Sequence, residues 1–202
     1  MLSQEYKDTV DELAKEARRR ALELLKVTAL NTNLKNMKLI IEANGGKLID
    51  DVSDGAKYAY KGENSFEVYY DSRTASAKDL AHELGHHFLL NHLYKGSLPK
   101  GLVLRNIACS GTKEGNSSFF GDEYKIEYLY EMAVLYFERA FLLPKKEFIA
   151  AVDNYSNKDL CNTVKIAEIF GVSEHLVITR GDDLGLWERR NPRSVRRKVE
   201  AD

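Results

Sequence analysis

The run Ala81-His82-Glu83-Leu84-Gly85-His86-His87-Phe88 holds the residue types with the most chemistry to offer. It contains HExxH. On a helix, His82 and His86 stand one turn apart on the same face, so their imidazoles can share one Zn²⁺ ion, and Glu83 can act on a metal-bound water. His82 and His86 are thus candidate ligands and Glu83 a candidate general base and acid. A catalytic zinc ion normally takes three protein ligands and leaves its fourth position to water, so the motif lacks one ligand. His92 falls ten residues after His82, the spacing of HExxHxxGxxH enzymes, but the glycine that turns the chain back in those enzymes is Leu89 here. Leu89-Leu90 continue a good helix, which puts His92 six residues past His86 and on a different face. The rival candidates are carboxylates: Glu123, Glu127 and Glu131 stand at i, i+4 and i+8 and form one helical stripe. A glutamate in an apolar segment such as Tyr128, Leu129, Met132, Ala133, Val134 and Leu135 needs a partner if it is buried, and a zinc ion is a suitable one.

The elements around the motif have the means to position it. Ser76-Ala77-Lys78-Asp79 has the spacing of a capping box that starts the HExxH helix, and Phe88-Leu89-Leu90 prolong it. Upstream, the spacing predicts an amphipathic helix from residue 3 to about 27, with Val10, Leu13, Ala14, Ala17, Ala21, Leu24 and Leu25 on one face. A second helix is expected over about 33–43, stopped by Asn44-Gly45-Gly46. The period then changes to that of short strands at 47–50, 56–60 and 65–70, with Asp54-Gly55 and Lys61-Gly62-Glu63-Asn64 as turns. A small antiparallel sheet beside the active-site helix is the expected arrangement. Residues 95 to about 121 lack periodicity and read as a long surface excursion. A strong helix follows from about Glu123 to Leu143, where Pro144 stops it. Val164 to Val177 then has a helix–turn–helix rhythm: an apolar helix, a glycine turn at Gly171, Ser173 as a cap, and a second helix. The end of the chain carries Arg189, Arg190, Arg193, Arg196, Arg197 and Lys198 and reads as a basic flexible tail.

Composition narrows the function classes. Thirty Lys and Arg against 31 Asp and Glu leave a net charge of −1, so there is no bulk electrostatic case for nucleic acid or an acidic membrane. The two cysteines, Cys109 and Cys161, make neither a disulfide framework nor a zinc ribbon. The first residues lack a signal-peptide core, and no apolar run reaches the roughly 18–20 residues of a membrane span, so a cytoplasmic setting is expected. Arg18-Arg19-Arg20 have Glu12, Glu16 and Glu23 within a turn and read as a solvated, ion-paired helix face.

Three stretches, in order, resemble the ImmA/IrrE family of zinc metallopeptidases: Thr74 through His86; Glu131-Met132-Ala133-Val134-Leu135-Tyr136-Phe137 on to Phe141-Leu142-Leu143-Pro144; and Phe148 followed by Ile166 to Ser173 and Arg180. The resemblance covers roughly residues 35–187. It implies an α+β, zincin-like fold: a small antiparallel sheet packed on the HExxH helix, then a mostly helical C-terminal part. The corresponding division is an N-terminal helix at 1–30, a metallopeptidase domain at 31–146, a helix-turn-helix-like subdomain at 147–187 and a tail at 188–202. It also implies Glu131 as the third zinc ligand, counting back from Pro144. The helix departs from the family's usual Ala-Asn/Asp pair, which is Val134-Leu135 here, and Glu127, one turn earlier, stays an alternative; His87 and His92 then read as surface residues or as partners behind the ligands. The implied function is that of an intracellular endopeptidase of narrow specificity that cuts a helix-turn-helix repressor and so derepresses genes of a mobile element or stress response. The competing expectation is a non-proteolytic regulator with a structural zinc, binding protein or DNA through 164–180. That segment is poor in basic residues, with Glu174, Asp182 and Asp183 in or beside it, which favours packing or repressor docking over DNA.

Overall fold

A computed structural model describes residues 2–30, 32–51, 56–94, 103–105, 124–157, 160–191 and 194–197. Helix α1 spans Gln4–Leu25, its first turn closed by Ser3 Oγ accepting from Tyr6 N at 3.3 Å. Its buried stripe is Val10, Ala14, Ala17 and Ala21, three of them alanines, and these small side chains let α1 lie close against the later helix α4, Tyr124–Leu142. The outer face carries Arg19 and Arg20 paired with Glu16 and Glu23, as the charge pattern predicts, whereas Arg18 departs from it by lying over the Phe141 ring and donating to Phe141 O at 2.7 Å. Helix α2, Leu34–Ala43, is capped by Asn33 Oδ1 and ends at Gly45, whose φ of +88° suits glycine and where a Cβ would meet Asn64 O at 2.2 Å.

Strands β1 (Gly46–Asp50), β2 (Lys57–Gly62), β3 (Ser65–Tyr70) and β4 (Val103–Arg105) form one sheet in the order β1-β3-β2-β4. The expected antiparallel sheet is corrected to a mixed one: β2–β3 and β2–β4 are antiparallel, but β1 runs parallel to β3. The reason lies in burial. Phe66 and Val68 of β3 are buried and take an interior position between β1 and β2, whereas β1 is half-exposed and takes the edge. The Asp54-Gly55 turn signal lies outside the described residues, and so does most of the 95–121 excursion, of which Val103–Arg105 form β4.

Helix α3, Ala77–Tyr94, holds the HExxH residues. Its start is the expected capping box: Asp79 Oδ2 accepts from Ser76 N at 2.8 Å, and Ser76 Oγ from Asp79 N at 3.3 Å. From Leu80 to Leu90 every residue is buried, so α3 has no solvent face over three turns. It packs on β2 and β3 and on α1, α2 and α4. A helix so enclosed must give each polar side chain a partner.

Pro144 separates α4 from α5, Lys145–Asn154. Helices α6, Thr163–Phe170, and α7, Glu174–Asp183, are joined through Gly171 in the left-handed conformation (φ +67°) and the cap Ser173, whose Oγ accepts from Leu176 N. A second sheet, in the order β5-β6-β8-β7, is built from β5 (Ser156–Asn157), β6 (Leu160–Cys161), β7 (Trp187–Asn191) and β8 (Ser194–Arg197). The last two come from the stretch read in sequence as a tail. Arg180 of α7 is fully buried and ties three helices together: Nη2 donates to Asp11 Oδ1 at 2.6 Å, Nε donates to Leu143 O at 3.1 Å, and the guanidinium lies 5.1 Å from the Tyr136 ring. Among the described residues a cluster of buried apolar side chains runs from Val10 to Trp187. Among the described residues no helix is long and apolar enough to cross a membrane.

Candidate metal centre

Helical spacing sets the first two donors. His82 and His86, one turn apart on α3, have ring centroids 4.9 Å apart. The third donor comes from α4, which can approach because residue 85 is glycine: a Cβ there would stand 2.9 Å from Phe137 Cδ1 and 3.3 Å from Val134 Cγ1. Glu131, three residues before Val134, thereby reaches both rings. Its Oε2 lies 3.6 Å from His82 Nε2 and its Oε1 3.8 Å from His86 Nε2. One nitrogen of each histidine and a Glu131 oxygen lie within 4.8 Å of one another, the single such group of ligand type among the described residues. Ligand atoms on a tetrahedral ion with bonds of about 2.05 Å stand about 3.3 Å apart, so the Glu131 oxygens need to close on the two rings by only a few tenths of an ångström.

The partners of the buried atoms point the same way. His82 Nε2, His86 Nε2 and both Glu83 carboxylate oxygens are buried and make no hydrogen bond. The other ring nitrogens are held: His86 Nδ1 is 2.9 Å from the Tyr130 hydroxyl, and His82 Nδ1 is 3.5 Å from Glu138 Oε2. Each ring therefore turns its unpartnered nitrogen toward Glu131. Three buried carboxyl groups, Glu83, Glu131 and Glu138, gather here, and a divalent cation would answer the unbonded atoms. Two imidazoles and one carboxylate are a donor set that holds zinc, iron or manganese.

Electrostatics follow from enclosure. Burial raises Glu83 to about 8; the charge of His82 opposes that rise, and Glu131 and Asp79 add to it. Burial pushes His86 well below the ordinary imidazole value, and the neighbouring His82 acts in the same direction. For His82, burial alone would lower the pKa, but the carboxylates of Glu131 and Glu138 outweigh it and hold it up to about 10.

His92 and His87 fall elsewhere. His92 is exposed in the last turn of α3 and lines a groove of about 700 Å³ with Glu5, Asp8, Thr9, Glu12 and Leu13 of α1. It is not in the His82–His86–Glu131 group. Glu123 and the side chain of Glu127 lie outside the described residues. His87 is not a surface residue: it is 2 % exposed, stacked on Phe66 at 4.1 Å, with Nδ1 3.2 Å from Tyr58 Oη and Nε2 3.1 Å from Asn91 Nδ2. Burial, then the charge of Arg20, lowers its pKa to about 3. Two residues of the site escaped sequence reasoning, Tyr130 and Glu138. The available signal for Glu138 was its spacing, seven residues or two turns after Glu131 and so on the same face of an apolar helix.

A scan against protein-family models finds no match for this chain, and a search of curated proteins finds none either.

Proposed function

We propose that this chain is a cytoplasmic zinc-dependent endopeptidase of narrow specificity, as its resemblance to the ImmA/IrrE family implies, and that it cleaves a helix-turn-helix repressor protein. The observation that supports this reading best is the convergence of two unpartnered imidazole nitrogens and the Glu131 carboxylate, with the equally unpartnered Glu83 next to His82 on the same helix. His82 and His86 would hold the ion through Nε2 and Glu131 through a carboxylate oxygen. Bound there, Zn²⁺ supplies Lewis acidity, making water available as a nucleophile near neutral pH and polarising a peptide carbonyl. Glu83 takes a proton from the attacking water and returns it to the leaving amine. Its enclosure suits this proton transfer. Burial favours the neutral carboxyl, a cation in the site opposes it, and the balance leaves a group able to accept and release a proton near neutrality. In this reading the site lies in a zincin-like arrangement, sheet against HExxH helix, with α6 and α7 as the repressor-docking part.

The test uses purified full-length protein, its zinc content, and a helix-turn-helix repressor encoded beside it as substrate. Wild type containing zinc and cutting the repressor, with Glu83→Gln retaining zinc and cutting nothing, is the expected result. Zinc in both proteins, cleavage by neither and a shifted operator fragment would replace the peptidase with a metal-containing regulator.

A further inference from the structure

The ring of His82 is contacted at both nitrogens by carboxylates of a single helix. Nε2 faces Glu131 Oε2 at 3.6 Å and Nδ1 faces Glu138 Oε2 at 3.5 Å. The two glutamates are seven residues apart on α4, so they rise from one face and straddle the imidazole. Glu138 is 2 % exposed and is followed in the helix by the buried Ala140, Phe141 and Leu142. Its cationic neighbour is Lys78, whose Nζ stands 3.9 Å from Oε1 and whose side chain is half-exposed; at that distance and exposure it answers a buried charge weakly. The strongest contact open to the Glu138 carboxylate is the Nδ1–H of His82. Tyr130 stands in the same relation to the second histidine, 2.9 Å from His86 Nδ1.

We propose that Glu138 is a positioning residue of the metal centre: its carboxylate accepts the Nδ1–H of His82, locks the ring plane, and keeps the Nε2 lone pair aimed at the point shared with His86 and Glu131. Tyr130 Oη does the same for His86, so each ligand ring is held from behind by a group on α4, the helix that also delivers Glu131. This role rests on the metal centre proposed above. It is nonetheless distinct from ligation, because Glu138 touches neither ion nor substrate and acts through His82. Groups that orient ligating histidines typically change metal affinity by about 10- to 100-fold when removed.

Zinc dissociation constants measured by competition with a chromogenic chelator test this in wild type, Glu138→Gln, Glu138→Leu and Tyr130→Phe, with far-UV circular dichroism as the folding control. The glutamine variant keeps the shape and a neutral acceptor and should bind zinc about tenfold more weakly; the leucine variant has no acceptor and should fall toward 100-fold. In zinc-loaded protein the His82 Nδ1–H proton should resonate far downfield in wild type and move upfield in Glu138→Gln, with that of His86 unchanged; a merely structural role would not move one ring proton selectively. If Glu138→Leu fails to fold, the near-isosteric Glu138→Gln decides. Wild-type zinc affinity in Glu138→Gln together with an unmoved His82 proton overturns the positioning role and leaves the metal centre standing. Failure of wild type itself to bind zinc overturns the metal centre, and the positioning role with it.

Discussion

Gly85 lies inside the HExxH helix, where local propensity and packing predict opposite signs for its replacement by alanine. Helix propensity and unfolded-state entropy alone predict that Gly85→Ala stabilises the protein by up to about 1 kcal/mol. Packing predicts the reverse. A Cβ at this position would lie 2.9 Å from Phe137 Cδ1 and 3.3 Å from both Phe137 Cγ and Val134 Cγ1. Ordinary carbon contacts are about 3.5–4.0 Å, so the Phe137 ring or α4 itself must retreat by roughly 0.6–1.1 Å. Phe137 has little freedom to do so alone, being fully buried between Phe88 and Phe141, with ring centroids at 5.8 and 6.0 Å. Overpacking of this kind costs about 1–3 kcal/mol, so the net effect is a destabilisation of about 0–2 kcal/mol after the propensity gain. For a chain of this size that is a fall in Tm of up to about 8 °C. A retreat of α4 also draws Glu131 away from histidine nitrogens that are already 3.6 and 3.8 Å distant, so zinc affinity should fall more than stability does. Differential scanning calorimetry of metal-free and zinc-loaded protein, with chelator competition, measures both. A Gly85→Ala protein more stable than wild type, binding zinc with wild-type affinity, would refute the claim that this glycine sets the approach of α4.

Other consequences are open to measurement. Glu131→Gln should lose zinc from an otherwise folded protein, read as metal content after gel filtration. Arg180→Leu removes a fully buried guanidinium and leaves Asp11 with the Tyr136 hydroxyl but no cation; breaking a buried pair costs about 3–5 kcal/mol, and the hydrogen bond that Asp11 keeps puts this case toward the lower figure, which chemical denaturation should register as a drop in midpoint at unchanged m-value. Ser76→Ala removes the hydroxyl that caps α3 and should cost about 1 kcal/mol by the same assay. Because Glu131 and Glu138 overcome burial and hold His82 up to about 10 in metal-free protein, zinc must displace a proton there. Affinity should therefore rise with pH, about tenfold per unit through neutrality from this group alone, with proton release detectable by calorimetry in buffers of different ionisation enthalpy.

What could be read from sequence is what local rules dictate. The HExxH helix, its Ser76–Asp79 cap, the Ser173 cap, the glycine stops at Gly45 and Gly171 and the break at Pro144 all depend on residues within a few positions of one another, and the structure forms each of them. The sheet was legible as strands but not as an order, because turn residues say where a chain reverses and not which strand sits between two others; the burial of Phe66 and Val68 decides that only once the core exists. The roles of His87, Tyr130 and Glu138 depend on contacts across 29, 44 and 56 residues, which the spacing of a single helix cannot report. Glu131 was reachable through a family resemblance and the distance from Pro144; Gly85, which lets its helix approach, takes its meaning from Phe137 and Val134, some fifty residues away, and has no local signal.

His82, His86 and Glu131 are proposed to hold one ion, with Glu83 beside it. A crystal structure of zinc-loaded protein with anomalous diffraction across the zinc edge tests it most directly. The expected result is one anomalous peak per chain, at about 2.0–2.2 Å from His82 Nε2, His86 Nε2 and a Glu131 oxygen, with a fourth position open toward Glu83. A peak that takes Glu127 or His92 as its third ligand, or four protein ligands closing the ion to water, would contradict it.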